Sequence, residues 1–272
     1  IGDMPLNLVL HRPSSSTSSQ LQPGAASLPP PTSAPPLAAI LQQMLPMVVE
    51  LKLTVERLNA ETLTPAKDED ANRILPSPAL LQLPPGATLL CDETSLMPGS
   101  LSKLGVKNLQ ALAQIVTSQR VSIDFSYHQS AVPSDVRVMV ISHGKSMPPV
   151  RCRVVVQPQA HCKQQQSEQT PRETVFGPEV TAAAREYVCA ASAVDSFDIG
   201  EEVTRVIEQD FVAARAAATA GAPVKSEDFS AWLTLARLIA ASYGQTSLTA
   251  ATWRRARELE GVRCGRLAEA AP

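Results

Sequence analysis

Asp92 and Glu93 stand directly after a short apolar run, Thr88–Cys91. An acidic pair at the end of an apolar strand can hold magnesium and position an attacking water, as the Walker B element of P-loop ATPases does. Many strands also end in acidic residues that simply meet solvent at a sheet edge. The magnesium chemistry needs a phosphate cradle one strand earlier. That cradle uses glycines, so that the backbone can approach closely, and a lysine at the β/γ-phosphates. The apolar run Leu6–Leu10 is in the right place, and His11–Arg12–Pro13–Ser14–Ser15–Ser16 follows it. That loop has no glycine and no lysine, and the first lysine in the chain is Lys52. The hydroxyls of Ser14–Ser16 could touch a phosphate; a Ser-rich loop start is the plainer reading.

Other chemistry is scattered. Cys152, His161 and Cys162 have the spacing C-x8-H-C, with no second pair to complete a zinc site, so no metal is expected. No nucleophile elbow of the G-x-S-x-G type is present. His128 and His143 could act as bases, but neither has an identifiable nucleophile, and both read as surface or loop histidines. Arg254, Arg255, Arg257, Arg263 and Arg266 alternate with Trp253, Ala256 and Leu259. That pattern reads as an amphipathic helix with a solvated basic face, or as a docking surface for an acidic partner or phosphates.

The elements that must position these residues fall into two regions. Leu6–Leu10, Thr88–Cys91, Val136–Ile141 and Val154–Val156 read as apolar core strands. Val49, Leu51, Leu53 and Val55 alternate with polar residues as a half-buried strand would, and Val121–Tyr127 alternates again. Leu37–Leu45, ended by Pro46, and Asn108–Thr117 have helical spacing. Strands interleaved with helices to about residue 156 predict an α/β unit. Arg185–Ser192, Gly200–Ala218, Ser226–Ala241 and Thr249–Leu267 then predict an all-helical part, with Ser226 as an N-cap. Residues 14–36 are Ser/Pro-rich, without charge or aromatics, and are expected to be a disordered insert. The expected division is 1–13 first core strand, 14–36 insert, 37–156 α/β core, 157–178 linker, 179–267 helical lid-like domain and 268–272 tail.

Composition narrows the classes. The 272 residues carry 24 Lys+Arg against 26 Asp+Glu, a formal charge of −2, which argues against a generally basic nucleic-acid binder. No apolar run approaches the roughly 18 residues of a membrane span. Five cysteines, with no secretory leader read ahead of them, fit reduced thiols in the cytosol or nucleus. With 23 prolines the chain has only 12 glycines, few for a phosphate-binding backbone loop. The first residue is Ile1 and not Met, so a fragment or incomplete gene model is expected.

Four longer stretches together point to one family. They are LLQLPPGATLLCDETSL (80–96), GVKNLQALAQIVTSQRVSIDFSYHQSAVPSDVRVMVIS (105–142), EEVTRVIEQDFVAAR (201–215) and ARLIAASYGQTSLTAATWRRARELE (236–260). In this order they resemble the C-terminal portion of the eukaryotic minichromosome maintenance (MCM) complex-binding protein family. The hexamer D-F-S-Y-H-Q (124–129) and the segment I-E-Q-D-F-V (207–212) carry most of the weight.

That family is itself similar to the ATPase core of MCM helicase subunits, which implies a degenerate AAA+ (P-loop NTPase-like) parallel sheet followed by an all-helical lid. The resemblance puts Arg12, Pro13 and Ser14 where the Walker A loop would be, with only the proline kept. It matches Asp92–Glu93 to Walker B. Ser118–Ile123 and Phe125–Val132 match the hairpin before sensor 1. Ser142–His143 stand in place of the sensor 1 asparagine, and Ser226, Glu227 and Asp228 stand near the sensor 2 arginine. An acidic side chain there would repel a triphosphate. Phosphoryl transfer depends on positioning and charge neutralisation. The resemblance therefore implies a pseudo-ATPase with no cofactor. It also implies a nuclear, non-enzymatic partner of MCM helicase subunits that regulates their assembly or unloading in DNA replication and sister-chromatid cohesion. Two alternatives belong to other classes. One is a residual ATPase completed in trans, with Arg237 or Arg255 as an arginine finger. The other is DNA binding through the 121–132 hairpin, where Arg120 is the only Lys or Arg between Lys107 and Arg137.

Overall fold

The structure, a computed structural model, describes residues 4–10, 37–65, 67–68, 73–74, 80–125, 127–156, 176–194, 197–217 and 225–270. Five strands form one parallel sheet: β1 (Leu6–Leu10), β2 (Val48–Lys52), β5 (Ala87–Asp92), β8 (Val136–Ser142) and β9 (Cys152–Val156). Their order is β2-β5-β8-β1-β9. Two short strands, β3 (Lys67–Asp68) and β4 (Arg73–Ile74), pair antiparallel between β2 and β5 in sequence. All six residues of β5 are buried, which suits a strand covered on both faces, and explains its continuous apolar run.

Helices α1 (Leu37–Met44), α2 (Val55–Ala60) and α3 (Lys103–Ser118) belong to this α/β part. Leu58 of α2 and Leu112 and Ile115 of α3 join Leu51, Leu89, Val138 and Val140 in one buried core. Each such fully buried aliphatic side chain contributes about 1.5–3 kcal/mol relative to exposure. Between α3 and β8 lies an antiparallel hairpin, β6 (Arg120–Asp124) with β7 (Gln129–Pro133). At the end of α3, Gln119 takes a left-handed conformation, φ 51°, and its side-chain amide bonds both the N–H (2.9 Å) and the C=O (3.0 Å) of Val136. The hairpin base is thereby tied to the first residue of β8.

Four helices follow: α4 (Pro178–Ser192), α5 (Glu201–Ala217), α6 (Ser226–Ser242) and α7 (Ala250–Ala270). The last three share a separate core of Ile207, Trp232, Ala236, Leu248, Trp253 and Ala256. Helix α4 connects the two parts: Arg185 Nε donates to Gln43 O at 2.6 Å, and Tyr187 Oη donates to Ser242 O at 2.9 Å. Helix α7 packs along β9, where Arg263 Nη1 donates to Arg153 O at 3.1 Å.

Several expected boundaries move for local reasons. Val55 does not continue the strand alternation but opens α2, because the Thr54 side chain accepts from Arg57 N and caps a helix there. Helix α3 begins at Lys103, five residues before Asn108, with Ser102 capping the Gly105 N–H at 3.2 Å. Ser226 is the first helical residue of α6 and not its cap; the Lys225 N–H is held by the Asp228 carboxylate at 3.0 Å. Helix α7 reaches Ala270. The insert at 14–36 and residues 157–175 of the expected linker lie outside the described residues.

Gly105 supplies a stability test. A Cβ there would come within 2.3 Å of Asn59 Oδ1, which accepts from the Ser102 N–H at 2.8 Å. Alanine in an open helix would gain about 1 kcal/mol over glycine. Here Gly105→Ala displaces Asn59 and is expected to destabilise by about 1–2 kcal/mol, read as a lowered urea midpoint at unchanged m.

Candidate functional site

In a parallel α/β sheet, ligands meet the carboxyl ends of the strands. At that edge the structure brings together Asp92–Glu93, which end β5, and Ser142–His143, which end β8. Asp92 is in register with Ile141, and the Glu93 N–H donates to Ile141 O at 2.9 Å. Beside them β1 ends at Leu10, whose carbonyl lies 3.5 Å from His143 Nδ1. Arg12, Pro13 and Ser14, expected at the Walker A position, lie outside the described residues. Glu227 does not join this edge. It sits in the first turn of α6 and approaches Arg151, before the amino end of β9, at 3.7 Å.

Both acidic side chains are turned to structural use. Asp92 and Glu93 are each only 5% exposed. Asp92 Oδ1 accepts from the Thr94 N–H (2.9 Å) and Oγ1 (2.7 Å), closing the turn that leaves β5. Glu93 Oε1 accepts from Ser146 Oγ (3.2 Å) and the Met147 N–H (3.0 Å), anchoring the loop that carries the chain from β8 across to β9. Neither carboxylate takes part in an ion pair among the described residues. One oxygen of each carboxylate thus serves as an anchor, Asp92 for the turn after β5 and Glu93 for the β8–β9 loop.

Ser142 is likewise built in. Its Oγ lies 3.0 Å from the Asn7 side-chain oxygen position and 2.9 Å from Gly144 O. A hydroxyl carries one hydrogen. The arrangement that uses each hydrogen once runs from the Asn7 amide N–H to Ser142 Oγ, and from Ser142 O–H to Gly144 O. Asn7 is fully buried on an interior strand and escaped sequence reasoning. A single polar residue within an apolar run was its only signal.

Burial pushes the Glu93 carboxyl above the ordinary carboxylate range, with the nearby Asp92 charge adding and the Met147 and Ser146 bonds opposing. Burial, and then the Glu93 charge, push the Cys91 thiol up to about 12, so it is an inert core group. A raised acid pKa means that the folded chain holds the proton to higher pH than the unfolded chain. Stability then falls as pH rises from the unfolded carboxylate range through the raised folded value. Glu93→Gln keeps an acceptor for Ser146 and Met147 and is expected to remove this slope without loss of stability at pH 7. Glu93→Ala leaves both donors unmet and is expected to cost about 1–3 kcal/mol. Denaturant unfolding at a series of pH values reads both.

The remaining candidates are occupied or exposed. Arg237 lies over the Phe197 ring at 5.7 Å, and Arg255 pairs with Glu258 at 3.1 Å. Arg257 covers Trp232 at 3.5 Å, and Arg263 grips Glu260 through two bonds of 2.7 and 2.6 Å. Arg254 and Arg266 are exposed on α7. His128 and His143 are exposed, as expected, and His128 stacks on Phe125 at 5.1 Å. Arg120 sits at the base of the β6–β7 hairpin, opposite Pro133, while the tip carries the fully exposed Tyr127. Cys91, Cys152, Cys189 and Cys264 are unpaired; His161 and Cys162 lie outside the described residues. No described helix is long and apolar enough to cross a membrane.

Comparison with known proteins adds a family likeness. The family described as Mini-chromosome maintenance replisome factor matches residues 27–267. The Mini-chromosome maintenance complex-binding protein of Gallus gallus is 36% identical over 228 residues, covering 84% of this chain and 35% of the relative. The Homo sapiens protein of the same name is 34% identical over 231 residues, covering 85% and 35%. The Arabidopsis thaliana one is 34% identical over 232 residues, covering 85% and 37%. The chain thus spans a little over a third of the length of these relatives.

Proposed function

This chain belongs to the Mini-chromosome maintenance replisome factor family, and from that premise we propose that it is a non-enzymatic binding partner of MCM helicase subunits. The observation that carries the reading is the name shared by relatives from a bird, a mammal and a plant, each called a Mini-chromosome maintenance complex-binding protein. The commitment of Asp92 and Glu93 to backbone anchoring supports it from the side of chemistry.

The finer reading is a degenerate AAA+ core that keeps its shape for docking. It draws support from the parallel order β2-β5-β8-β1-β9, the acidic pair ending β5, the hairpin preceding β8 and the helical part that follows. Such a core presents the faces that MCM subunits use to meet one another and competes for a subunit interface. It regulates MCM assembly or unloading in replication and sister-chromatid cohesion, in the nucleus. The test is co-purification: the full-length protein containing this chain, immobilised at physiological salt, retains MCM subunits. Failure to retain any of them overturns the reading.

A further inference from the structure

An opening lies beside the loop that Glu93 anchors, with Ser146 in its lining. A cavity of about 580 Å³ sits between the helical part and the amino ends of β1 and β9. Five cations face it, Lys145, Arg151, Arg153, Lys225 and Arg263, against three carboxylates, in a chain whose formal charge is −2. The carboxylates are already engaged. Glu260 is held by Arg263, Asp228 caps the Lys225 N–H, and Glu227 approaches Arg151 at 3.7 Å. That last pair is 61% exposed on both sides and so is loose and readily exchanged. Lys145, Arg153 and Lys225 form no ion pair among the described residues. The cavity shares its Met4, Cys152, Glu260 and Arg263 walls with a groove of about 440 Å³. That groove is lined by Leu6, Val154, Leu235, Leu238, Leu259 and Val262. Leu259 and Val262 remain 39% and 54% exposed on α7.

We infer that this two-part cleft docks an acidic peptide segment bearing apolar side chains, supplied by the MCM partner; the inference rests on the function proposed above. A nucleic-acid backbone would satisfy the cationic mouth but leave the apolar groove empty. A small free anion would do the same. A peptide whose carboxylates meet Lys145, Lys225 and Arg153, while neighbouring leucine-like side chains enter the groove, satisfies both halves. Charge complementarity at the mouth sets encounter and specificity, and the apolar anchor sets residence.

The test uses the full-length protein and purified MCM subunits. Zero-length carbodiimide crosslinking is expected to join Lys145 or Lys225 to an aspartate or glutamate of an MCM subunit. Lys145→Glu with Lys225→Glu changes two exposed side chains and is expected to weaken MCM retention by about tenfold or more at physiological salt, with an unchanged melting temperature. Leu259→Glu, directed at the groove, gives a second reading that does not depend on charge at the mouth, and is expected to weaken retention as well. If MCM subunits are retained equally by wild type and both variants, with no crosslink at either lysine, the cleft is overturned while the proposed function stands. If the wild type retains no MCM subunit, both fall. Single-stranded DNA displacing the crosslinked peptide segment from the lysines, with retention unaffected by Leu259→Glu, would overturn the peptide in favour of a nucleic acid.

Discussion

Trp253→Ala is expected to destabilise the helical part by about 3–5 kcal/mol, a large share of the roughly 5–15 kcal/mol that holds a domain folded. Trp253 is fully buried at the centre of the cluster formed by Ile207, Trp232, Ala236, Leu248 and Ala256. Its ring meets Phe229 edge-on at 6.4 Å, and Nε1 donates to Asp210 at 2.6 Å, joining α7 to α5. Alanine removes the ring, opens a cavity and releases that bond. Because α5–α7 have a core of their own, hydrogen exchange should accelerate there while β5 and β8 stay protected. Trp253→Phe separates the two contributions. It keeps most of the packing and loses the bond to a partly exposed carboxylate that water can serve, for a cost of about 1–2 kcal/mol. The variant also bears on docking, since α6 and α7 form one wall of the cationic cleft.

Asn108→Ala is expected to cost about 3 kcal/mol, large for a single polar residue. Asn108 is fully buried in α3. Its Oδ1 accepts from the Leu63 N–H at 3.1 Å, and its Nδ2 donates to Leu58 O (2.8 Å) and Glu61 O (2.7 Å). One side chain thus satisfies the end of α2 and the turn that follows. Alanine takes this partner from the buried Leu63 N–H and Leu58 carbonyl, and from the half-buried Glu61 carbonyl. Asn108→Asp faces a carboxylate toward those two carbonyls and should be at least as damaging at neutral pH. Acid should recover part of the loss, because a protonated carboxyl can donate again. Equilibrium unfolding of the three proteins at pH 7 and near pH 5 checks this.

Asn108 also shows where sequence reading stops. In sequence it is one polar residue at the start of a helical pattern, and its three partners lie 45–50 positions away. Nothing local marks it as a staple. Glu93 is similar: its place at the end of an apolar run was legible, but its partners Ser146 and Met147 are 53 and 54 residues on. Position therefore suggested a metal ligand where the fold supplies a loop anchor. By contrast, β5 and β8 were plain, because interior parallel strands are mostly apolar. Val55 misled because the alternation from Val49 runs on through it, while the Thr54 cap turns the chain into α2. There a single side-chain bond outweighs a period-two pattern. The cleft was only half legible: the arginines of α7 were visible, but Lys145 and Arg153 join them only through the packing of α7 against β9.

The proposed non-enzymatic reading expects that Asp92 and Glu93, each giving one oxygen to Thr94 or to Ser146 and Met147, hold no magnesium–nucleotide. Calorimetric titration of magnesium–ATP into the purified chain tests that directly. No saturable heat is expected up to about 1 mM, the upper end of ordinary enzyme–substrate concentrations. A saturable site that disappears in Asp92→Ala, with the fold intact, would contradict it.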